Sequence, residues 1–273
     1  MELINNSSLV NEIEKQISEI KDVNDAFAAE IFVKDFAYRF CWSSNAIEGN
    51  TLSLDETISV IEYDEVRSGH TFSEYAEAKN LYNAITNQLL PLEKKDITEE
   101  WIIRTNDLIM GSSSNGYRKG PVYVGSKVEV IYYPPSFERV PELMKNFMSD
   151  VNRISFELDK LLDDISLQHI IFERIHPFSD GNGRTGRMIL NQQLINNGLL
   201  PVSIPKSSDY RQAFRRYERN GDISKMKHII CKAELSAINV MKEIIDLKEK
   251  PGKSVYFEPH KDKKKQKDKG FEI

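Results

Sequence analysis

Apolar residues recur at helical spacing along most of the chain, with polar residues at the positions between them. The pattern predicts helices over about residues 53–66 and 71–90. Each opens on a hydroxyl residue followed three positions later by Glu, Ser53 with Glu56 and Thr71 with Glu74, which is the sequence of a capping box. The same periodicity predicts helices from Asp96, from near Pro141, and over about residues 161–175, 184–197, 207–219 and 224–248.

One segment has the composition of β-strands. Residues 122–124 (VYV) and 128–132 (VEVIY) are β-branched and aromatic, and Gly125-Ser-Lys127 lies between them. Two such runs around a short glycine-containing turn predict a β-hairpin, which Pro134 and Pro135 end.

The two segments on either side of residue 180, SLQHIIFERI and RMILNQQLI, are apolar on more than one face. Helices of this kind lie in the protein core. The loop between them therefore starts and ends at the centre of the fold. The sequence predicts a mainly α protein, with one helical domain, one β-hairpin and a polar C-terminal tail.

Composition places the chain among ordinary globular proteins, with 40% hydrophobic and 29% charged residues. No stretch approaches the roughly 20 apolar residues that cross a bilayer, so no membrane association is expected. The net charge of −5 argues against nucleic acid as a partner, and the run KDKKKQKDK near the C-terminus is typical of a solvated tail. Residues 1–20 lack a signal-peptide pattern, and Cys41 and Cys231 lack metal-ligand spacing, so we expect a cytoplasmic protein.

The central loop, HPFSDGNGRTGR at residues 176–187, combines features suited to phosphate chemistry. The proline after His176 disfavours helix at the histidine, which places an imidazole at a helix end. A side chain with a pKa near neutrality suits a general base. Gly181 and Gly183 let backbone amides approach a ligand, and these amides lead into a helix N-terminus, which attracts anions.

Three charged side chains add to this anion site. Arg184 and Arg187 are three residues apart and share a helix face, and their forked donors suit phosphate oxygens. Asp180 offers a hard oxygen ligand, which indicates Mg²⁺ bound together with phosphates. The loop therefore predicts a nucleotide phosphate site.

The loop fits the signature of the Fic family, HPFxDGNGRxxR, at every defined position, and the resemblance extends over about residues 97–248. It implies a Fic-type helical bundle that transfers AMP from ATP–Mg²⁺ to Ser, Thr or Tyr hydroxyls of a target protein. By this resemblance His176 is the base, Asp180 holds Mg²⁺ and Arg187 reaches the γ-phosphate. Orientation of the phosphates falls to Gly181, Asn182, Gly183 and Arg184.

The resemblance also implies roles for segments outside the loop. The hairpin is similar to the family's flap, which clamps a target segment by strand pairing; its candidate residues here are Val122, Tyr123, Val124, Val128 and Val130. We expect an N-terminal helical region over residues 1–90, a Fic catalytic core over residues 91–248, and a flexible Lys-rich tail over residues 249–273.

Ser44 and Glu48 lie four residues apart, hence on one helical face, and Gly49 is placed to end that helix. Taken alone, this is an ordinary helix end. The segment SNAIEG also matches the [S/T]xxxE[G/N] motif of the inhibitory helix in many Fic proteins, and resembles the class in which that helix precedes the Fic motif. In that class the glutamate pairs with the second motif arginine, here Arg187, and removes the γ-phosphate contact.

Several alternatives stay open at this point. Relatives transfer phosphoryl or phosphocholine groups, and removal of AMP from a modified target is a further activity of the same kind of site. A nucleotide-sensing interaction module without catalysis would need neither His176 nor the flap. Self-modification and homo-oligomer formation are also left open.

Overall fold

The protein is described by a computed structural model that covers residues 3–21, 26–66, 68–113, 116–125, 130–153 and 155–249. Ten α-helices account for most of these residues, which confirms the predicted mainly α class. In chain order they are α1 (Ser7–Lys21), α2 (Ala26–Glu48), α3 (Leu54–Tyr63), α4 (Phe72–Ala84), α5 (Glu99–Met110), α6 (Val140–Asp150), α7 (Leu158–Ile175), α8 (Asn182–Asn196), α9 (Ser208–Asn220) and α10 (Ser224–Glu249). The predicted tail lies outside the described residues from residue 250 onward.

A short antiparallel pair of strands lies between α5 and α6. β1 (Val124–Gly125) pairs with β2 (Val130–Tyr132), with Val124 opposite Tyr132 and Gly125 opposite Val130. These strands are shorter than the predicted runs 122–124 and 128–132, and Val128 lies outside the described residues. A 3₁₀ turn (Phe137–Arg139) leads from the strands to α6.

Hydroxyl residues cap α3 and α4 as the sequence predicts. The side chains of Ser53 and Thr71 each accept the N–H of the Glu three positions later, and that Glu bonds back to the cap residue. α3 ends at Tyr63 rather than near residue 66, because Asp64 adopts a left-handed conformation (φ 57°). α4 continues through a π-helical turn (Ile85–Leu89) to its predicted end.

Two helices begin at different residues from those predicted. α5 starts after Thr98, whose hydroxyl caps the first turn, rather than at Asp96. The Asn152 side chain bonds to both the N–H and the carbonyl of Ile97, at 2.8 and 2.9 Å, and so holds that residue outside the helix. α8 starts at Asn182, two residues early, because Gly181 in a left-handed conformation turns the chain directly into the helix.

α8 is the central helix of the fold. Its residues Leu190 and Leu194 pack with α1, α7 and α10, Met188 with α2, α4 and α10, and Ile189 with α5, α6 and α7. The loop before α8 is therefore held by the core, as the apolar pattern predicts. These clusters join helices from both sides of residue 90, and the proposed division at residues 90 and 248 stays a prediction.

None of the helices in the described part of the chain combines the length and apolar character that a membrane-spanning segment requires.

Candidate active site

His176 lies where α7 ends. The helix stops at Ile175, and the histidine adopts a left-handed conformation (φ 51°). Its Nδ1 lies 3.3 Å from the carbonyl oxygen of Glu173; because a carbonyl only accepts, Nδ1 carries the proton and Nε2 keeps a lone pair. Burial lowers the pKa of His176, so the ring is neutral at about pH 7 and able to accept a proton.

Hydrogen bonds within the loop fix its path between α7 and α8. The Asn182 side chain accepts the N–H of Phe178 and donates to its carbonyl, both at 2.8 Å, and Phe178 is buried. Asn106 of α5 donates to the Asp180 carbonyl at 3.0 Å. The Asn182 side chain, expected at the phosphates, is thus engaged inside the loop, where it shapes the backbone.

The start of α8 presents backbone N–H groups that have no partner within the helix. Its N-cap residue is Gly181, at φ 76°, and no described side chain caps this turn. A Cβ at Gly181 would lie 2.8 Å from the side-chain nitrogen of Asn106, so glycine is required for both conformation and space. Free N–H groups and the helix dipole together make this helix start a site for an anion such as phosphate.

Asp180 and Arg184 lie beside this helix start. The Asp180 side chain is 72% exposed, and its carboxylate is 3.8 Å from the guanidinium of Arg184, which is 5% exposed. The described residues contain no group of three or more His, Cys, Asp or Glu side chains that could hold a metal ion by themselves. One exposed carboxylate still fits Mg²⁺, which takes one or two protein carboxylates and completes its coordination with phosphate oxygens and water.

Arg187 is bound by the end of α2. Its Nε donates to the Ser44 hydroxyl at 2.8 Å, and one terminal nitrogen donates to the Ser44 carbonyl at 3.0 Å and to Glu48 Oε1 at 2.7 Å. The Arg187 side chain is 2% exposed and that of Glu48 is 38% exposed. α2 ends at Glu48, and Gly49 follows at φ 110°. The structure therefore joins the upstream motif to the last arginine of the loop.

The Glu48 carboxylate also lies against Gly183, in the first turn of α8. A Cβ at position 183 would overlap Glu48 Oε1 and would come within 3.1 Å of a terminal nitrogen of Arg187. The carboxylate thus occupies space next to the anion-binding start of α8. A negatively charged ligand that reached this helix start and Arg187 would compete with Glu48 for the same position.

Several of these side chains line one cavity of about 240 Å³. Val124 of β1 and Tyr132 of β2 form part of its wall, so the strand pair borders the cavity that His176 also lines. Val122 is half-buried and Tyr123 is 52% exposed, and neither is part of the lining. The sequence-predicted residues that line it are Glu48, Val124, His176, Gly183 and Arg187.

Two buried residues outside the predicted site, Tyr210 and His169, extend the contacts of Arg187. Tyr210 contacts the arginine, and His169 contacts Tyr210. A terminal nitrogen of Arg187 lies 3.5 Å from the Tyr210 hydroxyl, which is 2.7 Å from Nε2 of His169. Burial, with the nearby charge of Arg187, lowers the pKa of His169 to about 3, so the ring that shares this hydrogen bond with Tyr210 is neutral. One sequence signal was available, since His169 lies inside the apolar segment SLQHIIFERI, and a buried polar side chain needs a hydrogen-bond partner.

A second carboxylate, that of Glu173, lines the same cavity. It packs against Gly186, where a Cβ would overlap Glu173 Oε1, and this oxygen is sealed from solvent without a partner among the described residues. Burial raises the pKa of Glu173 to about 8; Arg187 opposes the shift and Glu48 adds to it. Glu173 is therefore protonated at neutral pH.

Glu173→Gln should make stability less dependent on pH. The folded wild-type protein keeps this proton up to about pH 8, whereas the unfolded chain releases it near the ordinary pKa of 4.5, so the free energy of unfolding falls as pH rises between these values. The slope from one such group is at most about 1.4 kcal/mol per pH unit. We expect urea unfolding at pH 5, 6.5 and 8 to show that the free energy of unfolding of the variant rises relative to that of wild type as the pH rises. An equal difference at all three pH values would contradict this, and Glu14→Gln on the exposed side of α1 is the control.

The helical fold and the HPFSDGNGRTGR loop together define a Fic domain. Residues 96–194 match the sequence model of the Fic/DOC family. The chain therefore carries a Fic/DOC family domain over these residues.

Curated relatives carry the name protein adenylyltransferase. Protein adenylyltransferase Fic from Drosophila mojavensis is 31% identical over 226 residues, which are 79% of this chain and 43% of the relative. Protein adenylyltransferase fic-1 from Caenorhabditis elegans is 28% identical over 205 residues, which are 70% of this chain and 39% of the relative. The chain thus spans about two fifths of the length of these relatives.

Solved structures agree in fold. A Fic domain containing signaling protein from Bacteroides thetaiotaomicron superimposes with a TM-score of 0.74 at 20% identity, covering 87% of this chain and 97% of that one. Fic-1 from C. elegans gives a TM-score of 0.71 at 22% identity, covering 89% of this chain and 73% of that one. At these identities the likeness shows the fold alone.

Proposed function

We propose that this protein is an adenylyltransferase that transfers AMP from ATP–Mg²⁺ to a Ser, Thr or Tyr hydroxyl of a target protein. The observation that carries the proposal is one cavity in which a neutral histidine, an anion-binding helix start and a buried arginine meet. The name shared by the curated relatives supports the same activity.

The chemistry would follow from the positions of these groups. A target hydroxyl placed at Nε2 of His176 gives its proton to the imidazole as its oxygen bonds to the α-phosphorus. The bond from that phosphorus to the bridging oxygen breaks, and pyrophosphate leaves with the bond electrons. Backbone N–H groups at the start of α8, with Arg184, hold the phosphate oxygens, and Asp180 is the residue that would bind Mg²⁺, which neutralises phosphate charge.

The end of α2 would act as an inhibitor of this reaction. Arg187 is the side chain suited to the γ-phosphate, and Glu48 holds it at 2.7 Å while occupying space beside Gly183. ATP would then bind productively only after Glu48 moves away. Release of Glu48 is therefore the proposed control of activity.

The strand pair is the proposed docking site for the target segment. Val124 and Tyr132 border the cavity that contains His176, so a segment paired with β1 would bring its hydroxyl close to the base. Tyr123, which directly precedes β1, is exposed and available for contact with the target. A hydroxyl of a second copy of the chain is as suitable chemically as that of another protein.

Intact-mass spectrometry after incubation with ATP and Mg²⁺ tests the proposed reaction. Wild type, Glu48→Gly and Glu48→Gly/His176→Ala are compared, alone and with a cell extract as the source of targets. A gain of one AMP unit in Glu48→Gly alone supports adenylyl transfer. A phosphate-sized gain would establish a phosphoryl transferase instead, and loss of AMP from a previously modified target would establish the reverse activity.

Ser44→Ala should release inhibition only in part. The Ser44 hydroxyl accepts one of the hydrogen bonds of Arg187, whereas the Ser44 carbonyl and the Glu48 carboxylate keep theirs. Loss of one bond of about 1 kcal/mol predicts an increase in AMP transfer of about fivefold. The control is Ser43→Ala, whose hydroxyl bonds to Ser203 at 2.7 Å and not to Arg187. Equal rates for the two variants would contradict the assignment.

A further inference from the structure

Arg118 is a buried arginine that joins three separate segments beside the active site. It is 5% exposed. Its Nε donates to the carbonyl of His176 at 2.8 Å, and its terminal nitrogens donate to the carbonyls of Gly120 at 3.1 Å and Pro135 at 2.5 Å. Its own backbone N–H donates to the Pro177 carbonyl at 2.9 Å.

These partners lie at functionally distinct places in the chain. Gly120 precedes β1 and Pro135 follows β2, so the guanidinium holds both ends of the segment that carries the strand pair. His176 carries the proposed base. Because the guanidinium is planar and its donors are fixed in direction, the three carbonyls can be bound together only in one arrangement. The position of the strands relative to the base is thereby set.

We propose that Arg118 is a positioning residue, which holds the β1–β2 pair and His176 in one register so that a target hydroxyl docked on the strands meets the base. The inference rests on the proposed transfer reaction for its catalytic consequence. The contacts themselves, and the physical effects expected from them, do not depend on that reaction.

The charge of Arg118 has a second effect on His176. Burial is the main cause of the lowered pKa of His176, and Arg118 lowers it further. The hydrogen bond to the Glu173 carbonyl and the charges of Glu48 and Asp180 act in the opposite direction. Removing the charge at position 118 should therefore raise the pKa of His176 and convert more of the base to imidazolium at neutral pH.

Two variants separate the charge of Arg118 from its geometry. Arg118→Met removes both, while Arg118→Lys keeps the charge but replaces the fork by one nitrogen. Arg139→Met is the control, since Arg139 is exposed and follows the same strands. Thermal unfolding of all three identifies variants that remain folded.

The first measurements need no enzymatic activity. Imidazole titration by NMR should show a higher His176 pKa in Arg118→Met and a value near wild type in Arg118→Lys. Hydrogen exchange at the Val124 and Tyr132 amides should quicken by about tenfold or more in both variants, and not in Arg139→Met. Unchanged exchange and an unchanged His176 pKa in folded Arg118→Met would overturn the proposal, whether or not the protein transfers AMP.

The catalytic readout uses the Glu48→Gly background. Adding Arg118→Met should lower AMP transfer by about 10- to 100-fold at pH 7, because a misplaced base loses much of its contribution, and the loss should shrink at pH 8.5 as the imidazole deprotonates. Adding Arg118→Lys should lower transfer equally at both pH values. If the loss of transfer in Arg118→Met were the same at pH 7 and pH 8.5, as it is expected to be in Arg118→Lys, Arg118 would have a structural role alone. If Glu48→Gly itself transfers nothing, the proposed function fails while the NMR and exchange tests of Arg118 still stand.

Discussion

Replacing Glu48 by glycine should raise AMP transfer by about 10- to 100-fold. The change removes a carboxylate that bonds to Arg187 at 2.7 Å and lies against Gly183 at the start of α8. Charge-assisted hydrogen bonds contribute about 1.5–3 kcal/mol, and each 1.4 kcal/mol is a factor of ten in a population. Because the Glu48 side chain is 38% exposed, solvent screening keeps the expected effect within this range.

Initial rates of AMP incorporation, measured at saturating target and varied ATP, check this expectation. Glu48→Gln keeps a hydrogen bond from Arg187 to an uncharged side-chain carbonyl and should give an intermediate rate. Glu30→Gly tests whether a glycine in α2 activates by loosening the helix in general, since Glu30 is exposed on the same helix. Equal rates for wild type and folded Glu48→Gly, or activation by Glu30→Gly, would refute inhibition through Arg187.

The remaining contacts of Arg187 explain why release should not disorder the arginine. Tyr210 approaches it at 3.5 Å from α9, and Tyr210 is itself held by His169 of α7. These residues do not belong to α2, so they stay when the end of α2 moves. The guanidinium then keeps its place beside the start of α8, ready to bind a phosphate in exchange for Glu48.

The geometry of the central loop could be predicted from the sequence because its members are close in the chain. A proline after His176 and a glycine before α8 determine local backbone geometry, and helix periodicity places Arg184 and Arg187. The structure confirms that α7 ends before His176 and that Gly181 has positive φ. The contact of Glu48 with Arg187 spans 139 residues, so only a family resemblance could indicate it.

Other features depend on tertiary contacts that local patterns do not encode. Arg118 bonds to backbone carbonyls, which every residue has, so no partner residue type indicates its role. Asp96 and Thr98 are both good helix caps, and the choice between them is made by Asn152, which holds Ile97 in place from a distant segment. The Asn182 side chain was expected at the phosphates, and its bonds are instead to the backbone N–H and carbonyl of Phe178.

His176→Ala in the Glu48→Gly background should lower AMP transfer by about 10²- to 10⁴-fold, which is the usual contribution of a general base. The lone pair of Nε2 is the one group in the proposed mechanism that takes the proton from the hydroxyl, and the Glu173 carbonyl fixes that tautomer. ATP binding should change little, because the proposed phosphate contacts come from the start of α8 and its arginines.

Titration calorimetry with ATP–Mg²⁺ and intact-mass kinetics on the same preparations separate these two effects. His228→Ala is the control, since that histidine is bonded to Asn6 and does not line the cavity that contains His176. Loss of transfer with ATP affinity retained assigns His176 to the proton transfer. Loss of both would show that His176 also maintains the phosphate site, and retained transfer would exclude it as the base. Because His176→Ala keeps the backbone carbonyl that Arg118 binds, the second of these outcomes would assign the organisation of the phosphate site to the imidazole itself.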